Sequence, residues 1–491
     1  MILKRSLKQN ALIPFAVVVA LSSCAVSDLS PDSSYLPRPD VTIREAIESA
    51  STYAIDERQT ESSIIMPETD AKSETEFTPE LDTKPTLDGV TETAAKPIII
   101  VPTPDEPESE TETEISNPDY ITPEVMNLVE KVNTVRKSDS IIFIAMSDSH
   151  YVADQELNFY DAETNASAQQ TALAVKLFSN FITPDFLAHL GDVSSGHAST
   201  TPDMLKKQIE GGMALFLEAK GEVPGFVAIG NHDTGIYHHD AQADGNIHTM
   251  TGEYLYQHFT SLSADENTVF GGEEYGGYCY RDFPDKKLRV FLLNTSEKLI
   301  GEQQDSAMYG AQRVWLANAL HDLNDKEDAE DWGFIILSHY PADYGATDPL
   351  SDLLKAYVNG TAHTISDPYD GGYHVGDGTY ETVDFSGRNA ATLIAQFHGH
   401  VHNFKADKLY SGGEQYDAHR VCIPNGQFNR ENYYGVVGGI DYAEDTSYSK
   451  TANSADGTSF VVNVINPDEG VIYSFCYGAG YDRVISYGGF E

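Results

Sequence analysis

The amino-acid sequence predicts an α/β domain over residues 138–491, with helices covering a β-sheet. Three features of the sequence predict this class. Short apolar runs of strand length recur along this part of the chain, helical patterns separate several of them, and polar residues follow the runs directly. Strands that alternate with helices in this way are typical of layered α/β proteins.

The apolar runs predict buried strands because they are short, largely uninterrupted by polar residues and rich in β-branched and aromatic side chains. In chain order the runs are 141–146, 185–190, 225–229, 289–294 and 332–337. A further run at 391–396 is either a strand or the end of a buried helix. Near the C-terminus, 459–465 and 470–475 predict a β-hairpin of the same domain.

One helix is marked both at its start and along its buried face. Thr201-Pro202 begins it, and proline is favoured in the first helical turn. Its apolar residues recur at helical spacing. They are Leu205, Ile209, Met213 and Phe216. The segment therefore predicts a helix that packs on the sheet and connects the second strand to the third.

The first 24 residues have the layout of a bacterial lipoprotein signal peptide. Basic residues precede the apolar run Ala11–Leu21, which is too short for a membrane span. The run ends in Leu-Ser-Ser-Cys24, which resembles the bacterial lipobox, whose cysteine is lipidated and becomes the mature N-terminus. The alternative is an ordinary signal peptide that contains a cysteine. We expect an exported protein, lipid-anchored through Cys24 to the outer face of a bacterial membrane.

Residues 25–137 are predicted to be an acidic, low-complexity linker, whose disordered stretch continues to about Asp119. From Ser51 to Tyr120, eighteen acidic residues stand against four basic ones, and the whole chain carries a formal charge of −45. Such a segment buries too little apolar surface to fold and is extended by its own charge. The charge disfavours nucleic acid as a partner. No protein partner can be inferred from the sequence. The three cysteines after Cys24 exclude a disulfide framework.

Polar residues with metal-binding side chains follow several of the predicted strands. The clusters are Asp148-x-His150, Gly191-Asp192, Gly230-Asn231-His232-Asp233, Ser338-His339 and Gly399-His400-x-His402. Ligands of open α/β sheets lie at the carboxyl ends of strands, so we expect the clusters to converge. Two Asp, one Asn and at least four His, without thiolates, suit Mn, Fe, Zn, Ni or Co. The set is large enough for two divalent ions that share a bridging carboxylate.

Taken singly these motifs are weak, but their series resembles the calcineurin-like metallophosphoesterase superfamily over residues 140–405. Residues 310–316 also resemble the family's Gln-x-x-Trp-Leu segment, placed before the next helix. The resemblance implies an αββα sandwich of two sheets flanked by helices, with a dinuclear metal centre between them. The acidic linker would form a disordered stalk before this domain.

The resemblance also implies roles for the site residues. Asp148, His150 and His402 would hold the first ion, and Asn231, His339 and His400 the second. Asp192 would bridge both ions. His232 would donate a proton or steady the phosphate, oriented by Asp233. Apart from the resemblance, His398 is expected to be a packed or half-exposed bystander, the alternative being a hydrogen bond to one of the ligands.

General chemistry supports this assignment. Two ions roughly 3.5–4 Å apart clamp a phosphoryl group and generate a bridging hydroxide near neutral pH. An imidazolium then supplies the proton that the leaving alkoxide needs. As a neutral ligand, Asn231 preserves the Lewis acidity of the pair. The glycines before Asp192, Asn231 and His400 are expected to turn the backbone sharply and to leave room for substrate.

We therefore expect metal-dependent hydrolysis of a phosphomonoester or phosphodiester. One alternative is an extracellular nucleotide or nucleic-acid phosphodiesterase, which the acidic stalk does not favour. The other is a non-catalytic surface protein that binds a phosphorylated envelope polymer, and the complete ligand set counts against it. Substrate specificity is expected to lie in the long segment Thr234–Gly333.

Overall fold

The computed structural model describes most of the chain from residue 119 onward. The described ranges are 119–153, 159–196, 200–235, 250–272, 276–297, 306–344, 348–366, 379–402, 404–427, 436–437, 440–441, 450–451 and 453–488. The predicted signal peptide, 1–24, and the linker as far as residue 118 lie outside the described residues. Among the described helices, none is both long and apolar enough to cross a bilayer.

Helices and strands alternate through the first half of the described chain, and strands dominate its end. The α-helices are α1 (Ile121–Val135), α2 (Phe159–Ser179), α3 (Pro202–Lys220), α4 (Asn231–Thr234), α5 (Gly252–His258), α6 (Gly310–Asn324) and α7 (Asp348–Asn359). The strands are β1 (Ile141–Met146), β2 (Phe186–His189), β3 (Gly225–Val227), β4 (Thr268–Gly271), β5 (Tyr278–Phe283), β6 (Leu288–Leu292), β7 (Gly333–Ser338), β8 (Ala362–Ser366), β9 (Tyr380–Asp384), β10 (Thr392–His398), β11 (Ala406–Ser411), β12 (Glu414–Cys422), β13 (Val436–Val437), β14 (Ile440–Asp441), β15 (Ser459–Asn466), β16 (Val471–Gly478) and β17 (Arg483–Ser486). Single 3₁₀ turns lie at Thr260–Ser263, Pro284–Lys286, Ala329–Asp331, Ala455–Gly457 and Pro467–Glu469. Each strand predicted from an apolar run is present, and the ambiguous run at 391–396 belongs to strand β10.

Two large sheets carry the architecture. The first has the strand order β17-β16-β15-β1-β2-β3, and the second has the order β11-β12-β10-β7-β6-β5-β4. Strands β1, β2 and β3 run parallel in the first sheet. Strands β6, β7, β10 and β12 run parallel in the second. The predicted C-terminal hairpin joins the first sheet, because β15 pairs antiparallel with β1.

The sheets pack face to face, and helices cover both outer faces. In β1, Phe143 and Ala145 belong to the core between the sheets, whereas Ile142 and Ile144 pack toward helices α1, α2 and α3. Phe143 stacks on Phe186 of β2 with ring centroids 4.7 Å apart. A third core lies between the second sheet and helices α6 and α7. The predicted αββα sandwich is confirmed.

Helix α1 corrects the boundary predicted between linker and domain. It lies within the predicted linker, yet its apolar residues are buried in the core of the first sheet. They are Ile121, Val125, Leu128, Val129 and Val132. Acidic residues on the other face of the helix gave this segment the composition of the linker. The ordered domain therefore begins before Ser138.

Replacing Leu128 with alanine is expected to lower the free energy of unfolding by about 2–5 kcal/mol, because it opens a cavity under α1. Leu128 is 2% exposed. Met126 on the same helix is 41% exposed, so Met126→Ala is the matched control. Urea unfolding followed by circular dichroism measures both. Equal stabilities for the two variants would show that α1 is not part of the folded domain.

Candidate metal centre

The predicted ligands come together where strands of the two sheets end. Asp148 and His150 follow β1, Asp192 follows β2, and Asn231 follows β3 at the start of α4. From the second sheet, His339 follows β7, and His400 and His402 follow β10. Their side chains form three overlapping groups, in each of which the candidate ligand atoms lie within 4.8 Å of one another. The convergence expected at the carboxyl ends of the strands is observed.

The first group contains Asp148, His150 and His402. The Nε2 atoms of His150 and His402 are 3.0 Å apart, and His402 Nε2 is 3.2 Å from Asp148 Oδ1. These three residues are the ones predicted for the first ion. Their ligand atoms face one another across a space suited to one cation.

The second group contains Asp192, His339 and His400, with Asn231 beside it. His339 Nε2 is 2.9 Å from Asn231 Oδ1 and 3.2 Å from Asp192 Oδ2. The same Asp192 Oδ2 is 3.9 Å from His150 Nε2, at the edge of the first group. Asp192 thus lies between the two groups, in the position predicted for a bridging carboxylate.

The arrangement of donors and acceptors fits a metal ion. The Leu190 carbonyl accepts a hydrogen bond from His339 Nδ1 at 2.8 Å, which places the ring proton on Nδ1. His339 Nε2 therefore faces the oxygens of Asn231 and Asp192. Atoms this close need positive charge among them, which a proton on Nε2 supplies without metal and a cation would supply in its place. Within the described part of the chain, the Asn231 amide nitrogen has no hydrogen-bond partner, so the oxygen of the amide serves this cluster.

The electrostatics of the cluster also demand positive charge. Burial opposes ionisation of Asp148 and Asp192, but the neighbouring histidines, chiefly His402 and His339 respectively, lower the pKa of both carboxyl groups. Burial alone would lower the pKa of His339, yet Asp192 and Asp148 raise that pKa to about 9. Burial lowers the pKa of His150 well below its ordinary value. Two buried carboxylates set among imidazoles form a strong cation site.

The backbone at the candidate ligands is strained. Across the described residues, seven residues other than glycine have positive φ, and five of them are candidate ligands. The five are Asp148 (52°), His150 (45°), Asp192 (52°), His400 (67°) and His402 (51°). Left-handed backbone is costly for such residues and persists where the surrounding structure imposes it, typically at functional sites. The sharp turns direct the side chains into the space between the sheets.

Groups outside the ligand set hold both aspartates. The Ser147 hydroxyl donates to Asp148 Oδ2 at 2.5 Å, and the His400 N–H donates to the same oxygen at 3.1 Å. The His232 N–H donates to Asp192 Oδ1 at 2.9 Å, which leaves Oδ2 directed at the histidines. Partners of this kind orient metal ligands. Sequence reasoning missed Ser147, although it lies next to a motif aspartate, and backbone donors leave no trace in the sequence.

His232 and Asp233 both contact the segment Ser194–Ser195. The Ser195 carbonyl faces His232 Nδ1, so this nitrogen carries the proton, and Nε2 lies 3.9 Å from Asp192 Oδ2. Asp233 accepts from the Ser194 N–H at 2.9 Å, the Ser194 hydroxyl at 2.8 Å and the Gly230 N–H at 3.0 Å. Asp233 therefore fixes the segment that presents the Ser195 carbonyl, and acts on His232 through it. The distances also group His232 with His150 and Asp192, as a ligand would be.

A family model of calcineurin-like phosphoesterases matches residues 141–404, which is more than half of the chain and includes every residue of the site. The chain belongs to the calcineurin-like phosphoesterase family. This membership makes it a metallophosphoesterase, a class of hydrolases that act on phosphoester bonds. Binding of divalent metal is a property of the family, and the clusters described above are suited to it.

Solved structures similar to this chain include a nucleotidase and a phosphatase. The NAD nucleotidase of Haemophilus influenzae is 13% identical, with a TM-score of 0.25, over 70% of this chain and 49% of that protein. This chain thus spans about half the length of the nucleotidase. A phosphatase of Mycoplasma pneumoniae is 12% identical, with a TM-score of 0.25, over 70% of this chain and 92% of that one. Among curated proteins, none matches the chain.

The structure places three further features that the sequence singled out: the Gln-x-x-Trp-Leu segment, His398 and the segment 234–333. Gln312 lies inside helix α6 rather than before a helix, and its amide makes two hydrogen bonds to the Asn294 backbone, at 2.9 and 2.8 Å. His398 is buried within β10, outside the ligand groups. The described parts of the segment 234–333 include strands β4, β5 and β6 of the second sheet, while residues 236–249, 273–275 and 298–305 lie outside the described residues. Much of that segment therefore builds the sandwich.

The glycines of the motifs make room for side chains of the candidate metal centre rather than for substrate. A Cβ atom on Gly399 would overlap the Ser147 hydroxyl and lie 2.6 Å from Asp148 Oδ2. One on Gly230 would overlap Asp192 Oδ1. Gly191 has a φ of 91°, and its Cβ would lie 2.6 Å from His339 Nδ1. The interpretation that these positions leave space for substrate was wrong, because neighbouring site residues fill the space.

Gly399→Ala is expected to lower the affinity of the phosphoesterase for divalent metal by roughly 10–100-fold, because the new methyl group displaces the Asp148 carboxylate. Equilibrium binding of Mn²⁺ measures the effect. Ser147→Ala, which deletes only the hydroxyl contact to Asp148, is the control and is expected to lose less. Wild-type affinity in Gly399→Ala would contradict the steric argument.

Proposed function

We propose that this chain hydrolyses phosphoesters with two divalent metal ions held between the ends of its sheets. The observation that carries the proposal is the convergence of ligand atoms in two adjacent groups, with Asp192 Oδ2 3.2 Å from His339 Nε2 in one and 3.9 Å from His150 Nε2 in the other. Asp148, His150 and His402 would hold one ion, and Asn231, His339 and His400 the other. Ions bound there would supply Lewis acidity, polarising the phosphoryl group and lowering the pKa of the attacking water.

The residues of the chain supply the remaining steps. Asp192, fixed by the His232 N–H at Oδ1, keeps Oδ2 directed at the centre of the site. His232 carries a proton on Nδ1 against the Ser195 carbonyl, so its Nε2 is the atom available to the substrate. In the imidazolium form, Nε2–H donates to the leaving oxygen as its bond to phosphorus breaks. Burial of His232, which is 8% exposed, limits exchange of this proton with bulk water.

An assay of the full chain against bis- and mono-p-nitrophenyl phosphate tests the proposal. The protein is stripped of metal and then supplied with Mn, Fe, Zn, Ni or Co. We expect turnover of at least one ester with at least one of these metals. Turnover of the diester alone would define a phosphodiesterase, and preference for the monoester a phosphatase. Bound metal without turnover of either ester would favour the non-catalytic alternative, in which the fold holds a phosphorylated envelope polymer.

We further propose that the enzyme is exported and anchored by a lipid on Cys24. The sequence of the first 24 residues supports this, as does the acidic stretch that follows and would hold the domain away from the membrane. Incorporation of labelled palmitate into the wild-type protein, and its loss in Cys24→Ser, is the expected result. A protein that is exported and cleaved without taking up label would carry an ordinary signal peptide instead.

A further inference from the structure

Lys450 is a buried lysine that the proposed chemistry does not use. It is 7% exposed, and its ammonium donates to the carbonyls of Asn425 and Gln427 at 2.5 and 2.7 Å. Within the described chain, it forms no ion pair with a carboxylate. A buried ammonium is unfavourable unless acceptors take up its hydrogens, and burial lowers the pKa of Lys450 to about 7. Its position therefore requires an explanation.

The segment 425–427, which we call the clamped loop, is held at three successive carbonyls. Lys450 binds the first and the third. The second carbonyl, that of Gly426, accepts hydrogen bonds from the hydroxyls of Ser167 at 2.5 Å and Thr458 at 3.1 Å. Donors from two distant parts of the sequence, Ser167 and the neighbouring Lys450 and Thr458, thus converge on one short loop after β12.

The clamped loop is attached in turn to the backbone of a candidate metal ligand. The Gly426 N–H donates to the Ser147 carbonyl at 2.7 Å, and the Gln427 N–H donates to the Asp148 carbonyl at 3.0 Å. On its other side, the Asp148 N–H donates to the Gly191 carbonyl at 3.0 Å. The strained backbone of Asp148, with φ 52°, is therefore fixed at both its peptide groups.

We propose that Lys450 is a positioning residue of the metal centre. By holding the clamped loop, it fixes the backbone of Asp148 and so directs the Asp148 carboxylate, with His150 after it, at the first ion. This inference rests on the proposed function. It differs from a purely structural role in that one ion, held by Asp148, His150 and His402, depends on Lys450 more than the other.

Lys450→Met in the full chain, titrated with Mn²⁺ by calorimetry after removal of metal, tests the inference. We expect the affinity of one of the two ions to fall roughly 10-fold, at the lower end of the range for residues that orient ligands. The affinity of the other ion is expected to stay as in the wild type. Thr458→Val removes one of the two hydroxyl donors to the Gly426 carbonyl without removing a buried charge, and is expected to act in the same direction. It decides the matter if Lys450→Met does not fold.

Two controls separate positioning from general stability. Lys408→Met removes a lysine paired with Asp417 at the surface. Ser351→Ala removes a buried hydroxyl of helix α7 that donates a hydrogen bond to the Tyr410 carbonyl, away from the metal centre. Both are expected to keep wild-type metal affinity. If Lys450→Met and Thr458→Val bind each ion with wild-type affinity, the inference is overturned and the proposed function is not affected. A similar loss of affinity in Ser351→Ala would also overturn it, whereas a wild type that binds no metal would overturn the proposed function as well.

Discussion

Asp192→Asn is expected to lower kcat/KM for p-nitrophenyl esters by roughly 10³-fold or more, because a bridging carboxylate contributes several kcal/mol of charge stabilisation to the site. Asp192 lies between the two ligand groups, near His150 of the first and His339 of the second, and its side chain is buried. Asparagine keeps the size of the side chain and one oxygen, but removes the negative charge that would hold two cations together. Metal content should fall with activity.

The measurement is steady-state kinetics together with metal analysis of the purified variant. Asp282→Asn is the matched control, since Asp282 is a largely buried carboxylate that pairs with Arg289 in the second sheet, away from the site. It is expected to lose stability and to keep its metal. An Asp192→Asn enzyme with full activity and two bound ions would contradict the bridging role.

His232→Ala is expected to lower kcat by about 10²–10⁴-fold, the range for loss of a general acid, while both metal ions remain bound. The loss should be larger for an alkyl phosphate than for a p-nitrophenyl ester, because p-nitrophenolate is a stable leaving group that needs little protonation. This dependence on the leaving group distinguishes proton donation from mere binding of the phosphate.

The same variant settles a second reading of the geometry, in which His232 is a metal ligand beside His150 and Asp192. In that case His232→Ala would lose metal, and added metal would restore activity. His321→Ala is the control, because His321 packs on Phe385 in the helical layer of the second sheet, with ring centroids 5.0 Å apart. It is expected to change neither metal content nor leaving-group dependence.

Much of the fold was predictable because the signals are local. A strand buried between two layers reads as an unbroken apolar run, as β1 does at Ile141–Met146. Helix α3 was predictable from Pro202 and its apolar face. Helix α1 was not, because Glu124 and Glu130 on its exposed face carry the acidity of the preceding linker and masked five buried apolar residues. Composition averages over both faces of a helix, whereas packing depends on one.

The sequence by itself indicated the candidate ligands, because polar residues at the ends of apolar strands have one common place to meet. Only the tertiary structure decided their grouping: His150 opposite His402, and His339 beside Asn231 and Asp192. It also revealed the Leu190 and Ser195 carbonyls as partners of the histidines, and connected Lys450 to Asp148. Backbone carbonyls are the same in every residue, and contacts between distant segments depend on how the sheets pack. Neither can be read from the order of side chains.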